Sequence, residues 1–134
     1  MADSFNFELV SPERLLVSSQ VVSVTIPATE GEMTVMANHS PVMTTVKPGV
    51  VAVSDADGGS EKYVVFGGFA DILPSGCTLL AESAVRMNEV NKDMLEQRIA
   101  AARSELQDAQ HHEHRSKLEE LIYQLTSLRD AVIE

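Results

Sequence analysis

The sequence has one cysteine and no tryptophan. A lone Cys77 excludes an internal disulfide and a cysteine-based zinc site. It lies in the strand-like run "CTLLAESAV", where it reads as a buried, inert thiol. No apolar run approaches the roughly 18 residues that a membrane-spanning helix needs. The opening "MADSFNFELV" holds neither a basic region followed by an apolar core nor an Arg-rich transit pattern. The chain therefore reads as cytosolic as made, with any membrane association coming through a partner. Basic residues are scarce: 10 Lys and Arg stand against 20 Asp and Glu, a net charge of −10. This excludes nucleic acid as a main partner, because phosphate binding needs a basic surface.

Glycine and proline are absent from the whole C-terminal third. All 7 glycines and all 5 prolines fall at or before Gly76. These residues punctuate strands and turns, and their absence permits long helices. The break divides the chain into a β-rich domain, 1–87, and a helical domain, 88–134. Hydrophobic residues make up 44% of the chain, too many for a disordered protein and enough for a core.

What is present before the break reads as all-β. "FNFELV" alternates Phe5, Phe7 and Leu9 against Asn6 and Glu8, and "VVSVTIP" sets Val22, Val24 and Ile26 on one face. A hairpin is predicted from Val50–Val53 through Asp57-Gly58-Gly59 to Tyr63–Phe66. "FADILPSGCTLLAES" reads as a strand, a turn at Pro74-Ser75-Gly76 and a second strand. Many short strands divided by Gly/Pro turns point to a sandwich or barrel. After the break, Leu95, Ile99, Ala102, Leu106 and Ala109 form one helical seam, and Leu118, Leu121, Leu125, Leu128 and Val132 a second. The polar "QHHEH" lies between them, so an antiparallel helical hairpin is expected, with little core of its own.

Several motifs tempt a chemical reading. His39-Ser40 lacks the Gly-x-Ser-x-Gly elbow of a nucleophile and fits an Asn-His-Ser-Pro turn. "HHEH" at 111–114 is not H-E-x-x-H and reads as a solvated helix–helix turn. Gly67-Gly68 is followed by a strand, not the helix of a phosphate loop, and marks a bulge or a close backbone approach. No catalytic residue, cofactor site or metal site is assigned, so a binding or structural role is the better class.

Five motifs in order then give the chain a likeness: "IPATEGE" (26–32), "HSP" (39–41), "KPG" (47–49), "GGF" (67–69) and "CTLLAESA" (77–84), followed by a two-helix tail. Together they resemble the ε subunit family of the bacterial F-type ATP synthase, the counterpart of the mitochondrial δ subunit. The resemblance implies a sandwich of about ten strands followed by an α-helical hairpin. It implies a non-catalytic rotor subunit of the central stalk that binds γ and the c ring and couples proton flow to ATP synthesis. It places the protein at the cytoplasmic face of the inner membrane, held there by the complex, with α and β as further partners of the hairpin. Carried over by position, Glu32, in the loop after Gly31, matches a c-ring contact, and His39 matches a γ contact.

Three departures from the family pattern carry expectations. Thr34-Val35-Met36-Ala37 stands where Gly-Ile-Leu-Pro is common, so that loop differs locally. Val90-Asn91-Lys92-Asp93-Met94-Leu95 replaces the Ile/Leu-Asp-x-x-Arg-Ala of ATP-sensing members, which predicts weak or no ATP binding. From 113 to 134 three basic residues (Arg115, Lys117, Arg129) meet five acidic ones, a local charge of −2, which predicts weak inhibition of hydrolysis. Two other classes compete: a free-standing adaptor or ligand-binding β-sandwich whose helices grip a partner, and a hydrolase using His39 and Ser40.

Overall fold

The computed structural model describes residues 3–132, and the chain divides into two compact units between Met87 and Asn88. Among the described residues the first unit has seven strands: β1 (Phe5–Val10), β2 (Leu15–Ala28), β3 (Gly31–Met36), β4 (Val42–Asp55), β5 (Ser60–Leu73), β6 (Gly76–Ala81) and β7 (Ala84–Arg86). Strand β1 pairs antiparallel with β2 and parallel with β6, while β6, β5, β4 and β2 follow one another antiparallel. The five strands β1, β6, β5, β4 and β2 thus close on themselves into a barrel-like sandwich without free edges. Strands β3 and β7 are added outside the ring, beside β2 and β5.

The count is seven rather than about ten because β2, β4 and β5 are each 14 residues long. Each runs through an irregularity and serves two neighbourhoods. Lys47-Pro48-Gly49 has the composition of a turn. Instead β4 continues through it, paired with β5 on both sides. The bend is visible against β2: between the pairs Thr25–Ala52 and Ala28–Val46, β2 advances three residues and β4 six. Val22 was expected to face inward with Val24 and Ile26. A bulge between the pairs Val21–Asp55 and Ser23–Ser54 shifts the alternation, so Val21 is fully buried and Val22 only partly.

The core is made by one face of each strand, with Phe7, Leu9, Val24, Ile26, Val51, Ile72 and Leu79 among its fully buried side chains. Cys77 lies in this core, where burial, and then the charge of Asp71, push its thiol up to about 12. Gly68 is required by packing: a Cβ there would lie 2.1 Å from the Leu80 carbonyl oxygen, at φ +142°.

A single 3₁₀ turn, Met87–Glu89, leads to the second unit, which holds α1 (Lys92–Asp108) and α2 (His112–Val132). Asn91 caps α1, its Oδ1 accepting the Met94 N–H at 2.9 Å. The buried residues Leu95, Ile99 and Ala102 of α1 and Leu118, Leu125 and Leu128 of α2 follow the two predicted seams. Ala109 lies beyond the end of α1 as its C-cap. The connection is confined to residues 109–111, so His112 and His114 belong to the first turn of α2 and not to a turn between helices. Contacts join Glu96 to Arg129 far from the connection, and Glu105 to His114 and Leu106 to Arg115 close to it.

Candidate interaction surface

His39 stands in the connection between β3 and β4. Asn38 holds a left-handed conformation, φ 66°, which its short polar side chain tolerates better than most. Its N–H donates to the Pro74 carbonyl at 3.1 Å, which ties this connection to the turn between β5 and β6. The His39 Nδ1 lies 2.8 Å from the Ser40 main-chain oxygen. A carbonyl can only accept, so Nδ1 carries the proton and donates. The ring is therefore engaged by the backbone of Ser40 and not by its hydroxyl.

Glu32 is exposed and lies inside β3, paired with Pro27, not in a loop. It sits at the start of β3, while His39 lies beyond its end. Four residues of extended chain from Glu32 to Met36 span about 13 Å. The structure does not bring these two residues together.

The surface beside His39 is apolar. Phe69 and Leu80 are direct cross-strand partners on β5 and β6, and they are 56% and 53% exposed. On β5, Ala70 and Ile72 point to the core, so Phe69, Asp71 and Leu73 share the outer face. Met43 on β4 lies opposite Asp71 and is 70% exposed. A shallow groove of about 340 Å³ runs beside this strip, between Val10, Pro12, Phe69 and Leu80. Large exposed apolar side chains aligned on one sheet face are unusual and mark an interaction surface. Reading the sequence alone missed this strip. The available signal was "GGFADIL", whose apolar residues fall on both faces of a single strand.

A second cleft, near the turn between β4 and β5, is acidic, lined by Asp55, Asp57, Glu61 and Tyr63. Burial, then repulsion from Asp57 and Glu61, raises the pKa of Asp55. Burial and the Glu61 charge likewise raise Tyr63, whose hydroxyl donates to Glu61 at 3.4 Å. Among the described residues no group of His, Cys, Asp or Glu is placed to hold a metal ion. No helix among them is long and apolar enough to cross a membrane.

Comparison with known proteins bears on both units. The family described as ATP synthase, Delta/Epsilon chain, beta-sandwich domain matches residues 4–87. An ATP synthase epsilon chain of Rhizobium etli (strain CIAT 652) is 68% identical over 132 residues, covering 98% of each chain. One from Agrobacterium fabrum is 62% identical over 134 residues, covering 99% of this chain and 98% of the relative. A chain in the structure of the Euglena gracilis mitochondrial ATP synthase, OSCP/F1/c-ring, superposes with a TM-score of 0.74 at 25% identity, over 96% of this chain and 81% of that one. A chain of the Tetrahymena thermophila mitochondrial ATP synthase central stalk and c ring shares the fold, at a TM-score of 0.69 and 13% identity, over 94% of this chain and 96% of that one.

Proposed function

The chain belongs to the ATP synthase delta/epsilon family, and from that premise we propose that it is a rotor subunit of the central stalk that binds γ and the c ring. As a member it is a non-catalytic subunit of the enzyme, in keeping with the engaged His39 ring. The observation that carries the proposal is the apolar strip of Met43, Phe69, Leu73 and Leu80, with His39 at its Pro74 end. In this reading γ covers the strip, and exposed aromatic and aliphatic side chains become its buried anchors. His39 contributes at the margin of the γ contact. Glu32, on the exposed strand β3, faces the polar loops of the c ring. Attachment to the cytoplasmic face of the inner membrane then comes through these partners.

The β unit, 1–87, is the anchor in this reading. The helices of 88–134 form an antiparallel hairpin that reaches α and β and regulates hydrolysis weakly. Their net acidic second helix supports weak regulation, since the resemblance implies that inhibition uses basic residues of this helix against an acidic segment of β. Asn91, used as a helix cap, supports weak or absent ATP binding at the start of α1.

The test is co-purification with γ. Wild-type protein is expected to be retained stoichiometrically. Phe69→Ser is expected to lose most retention while keeping its fold, because the side chain is already exposed. A free-standing adaptor would ignore γ, and equal retention of Phe69→Ser would show that γ does not bind this face.

A further inference from the structure

The two helices of the second unit carry a narrow apolar seam, which leaves a pair of 17 and 21 residues only marginally held. Two arginines of α2 reach α1 at opposite ends of the pair. At the connected end, Arg115 Nη1 donates to the Leu106 carbonyl at 2.9 Å and to the Ala109 carbonyl at 3.1 Å. At the far end, Arg129 Nη1 donates to Glu96 Oε1 at 2.9 Å, and its Nε donates to Asp130 at 3.2 Å.

The position of Arg115 needs a reason. It lies near the start of α2, where the helix dipole disfavours a cation. The reason is at the end of α1. The last carbonyls of a helix lack intrahelical partners and carry partial negative charge. The last turn of α1 contains no basic residue of its own. Arg115 supplies that missing cation from the following helix. His114, 3.3 Å from Glu105, adds an exposed contact that contributes little.

Arg129 works differently. The Arg129 side chain is 25% exposed and that of Glu96 40%, so this pair is partly open to solvent and is held by its geometry. Asp130, on the same helix, holds the planar fork in place for Glu96. Residues 109–111 tether the helices at one end, so separation begins at the other, where Glu96 and Arg129 span the gap.

We infer that the helix pair is fastened by two arginines with separate duties: Arg129 on Glu96 is a releasable catch at the open end, and Arg115 on the carbonyls of Leu106 and of the C-cap Ala109 is a fixed hinge clamp. This inference concerns the isolated chain and stands whether or not γ covers the β unit.

Amide hydrogen exchange on the full chain tests it, with far-UV circular dichroism as a check on folding. Glu96→Gln and Arg129→Gln are each expected to raise exchange about fivefold in peptides spanning 93–100 and 125–132, the upper end for a well-oriented, partly exposed ion pair. The double variant should exchange no faster than Arg129→Gln alone, because both changes break one contact. Arg115→Gln should raise exchange in 104–113 and leave the open end within about twofold of wild type, a limit set by the tether. Strand peptides should be unchanged in all variants. The catch is refuted if either single variant matches wild type, or if the double variant multiplies the two single effects. The hinge is refuted if Arg115→Gln acts mainly at the open end.

Discussion

Substituting alanine at two glycines separates backbone conformation from packing. Gly31 and Gly68 have similar φ angles, +133° and +142°, which L-residues rarely adopt. A Cβ at Gly31 meets nothing within 4 Å, whereas one at Gly68 meets the Leu80 oxygen at 2.1 Å and the Ala81 Cα at 2.9 Å. Both substitutions carry the conformational penalty of about 1–3 kcal/mol. Gly68→Ala carries more, because its obstacles are backbone atoms that no rotamer change can move. Going from 2.1 Å to the 3.4 Å of ordinary contact requires β6 to retreat by 1.3 Å from β5. That breaks the pairing at Gly68–Ala81 and Phe69–Leu80. Losing two ladder hydrogen bonds at about 1 kcal/mol each brings the total to about 4 kcal/mol. This is a large share of the roughly 5–15 kcal/mol that stabilises a domain. Urea unfolding of the purified chain is the assay, with an unchanged m value required for the comparison. The expected ranking is wild type, then Gly31→Ala lower by about 1–3 kcal/mol, then Gly68→Ala lower by about 4 kcal/mol or unfolded. If Gly68→Ala costs no more than Gly31→Ala, the close approach of β5 and β6 is not what holds Gly68.

Other outcomes follow from the same geometry. The Cys77 thiol has an ordinary value of 9.0 and is raised to about 12 in the fold. Its contribution is fully present below pH 9 and is lost as pH rises towards 12. Wild type should therefore lose stability over that range more steeply than Cys77→Ala, by up to about 1.4 kcal/mol per pH unit, and equal slopes in urea titrations would contradict the burial of the thiol. His39→Ala should weaken binding to γ by about 1 kcal/mol while leaving stability within about 0.5 kcal/mol, because the ring bonds locally to Ser40; unchanged affinity and coupled synthesis would remove it from the interface. Glu32→Gln should leave γ binding unchanged and reduce attachment to the membrane sector, measured by sedimentation of reconstituted complexes; equal sedimentation would contradict a c-ring contact. Deleting 88–134 should raise ATP hydrolysis of the assembled enzyme less than about twofold, given the unfavourable charge of α2, and a large rise would refute weak inhibition.

Much of the fold was legible from local pattern. The end of glycine and proline at Gly76 separated strands from helices, and the Leu and Ile spacing of each helix gave its buried seam. What escaped were long-range features. Nothing near Val22 announces that β4 offers Asp55 and Ser54 to Val21 and Ser23, yet that pairing turns Val22 away from the core. Lys47-Pro48-Gly49 is ordinary turn chemistry, and here pairing with β5 keeps it inside a strand. Glu32 follows a glycine and reads as a loop residue, but Pro27 provides its strand partner. For the candidate surface, His39 could be found by motif. The Phe69–Leu80 pair could not, because cross-strand neighbours are set by register and register is not written in either strand alone.

The parallel pairing of β1 with β6 has a consequence for how the molecule is made. Asn6 lies beside Gly76, so β1 must find a strand that leaves the ribosome some seventy residues later. Until β6 is synthesised, β1 can use only its β2 side, and its other edge waits unpaired. Closure of the ring is thus a late step that joins contacts distant in sequence, of the kind that makes folding slow and cooperative. The helical segment emerges last and is not needed for that closure. A chain that ends before Ala81 should therefore be captured by chaperones, whereas one released at Met87 already holds every strand of its β unit.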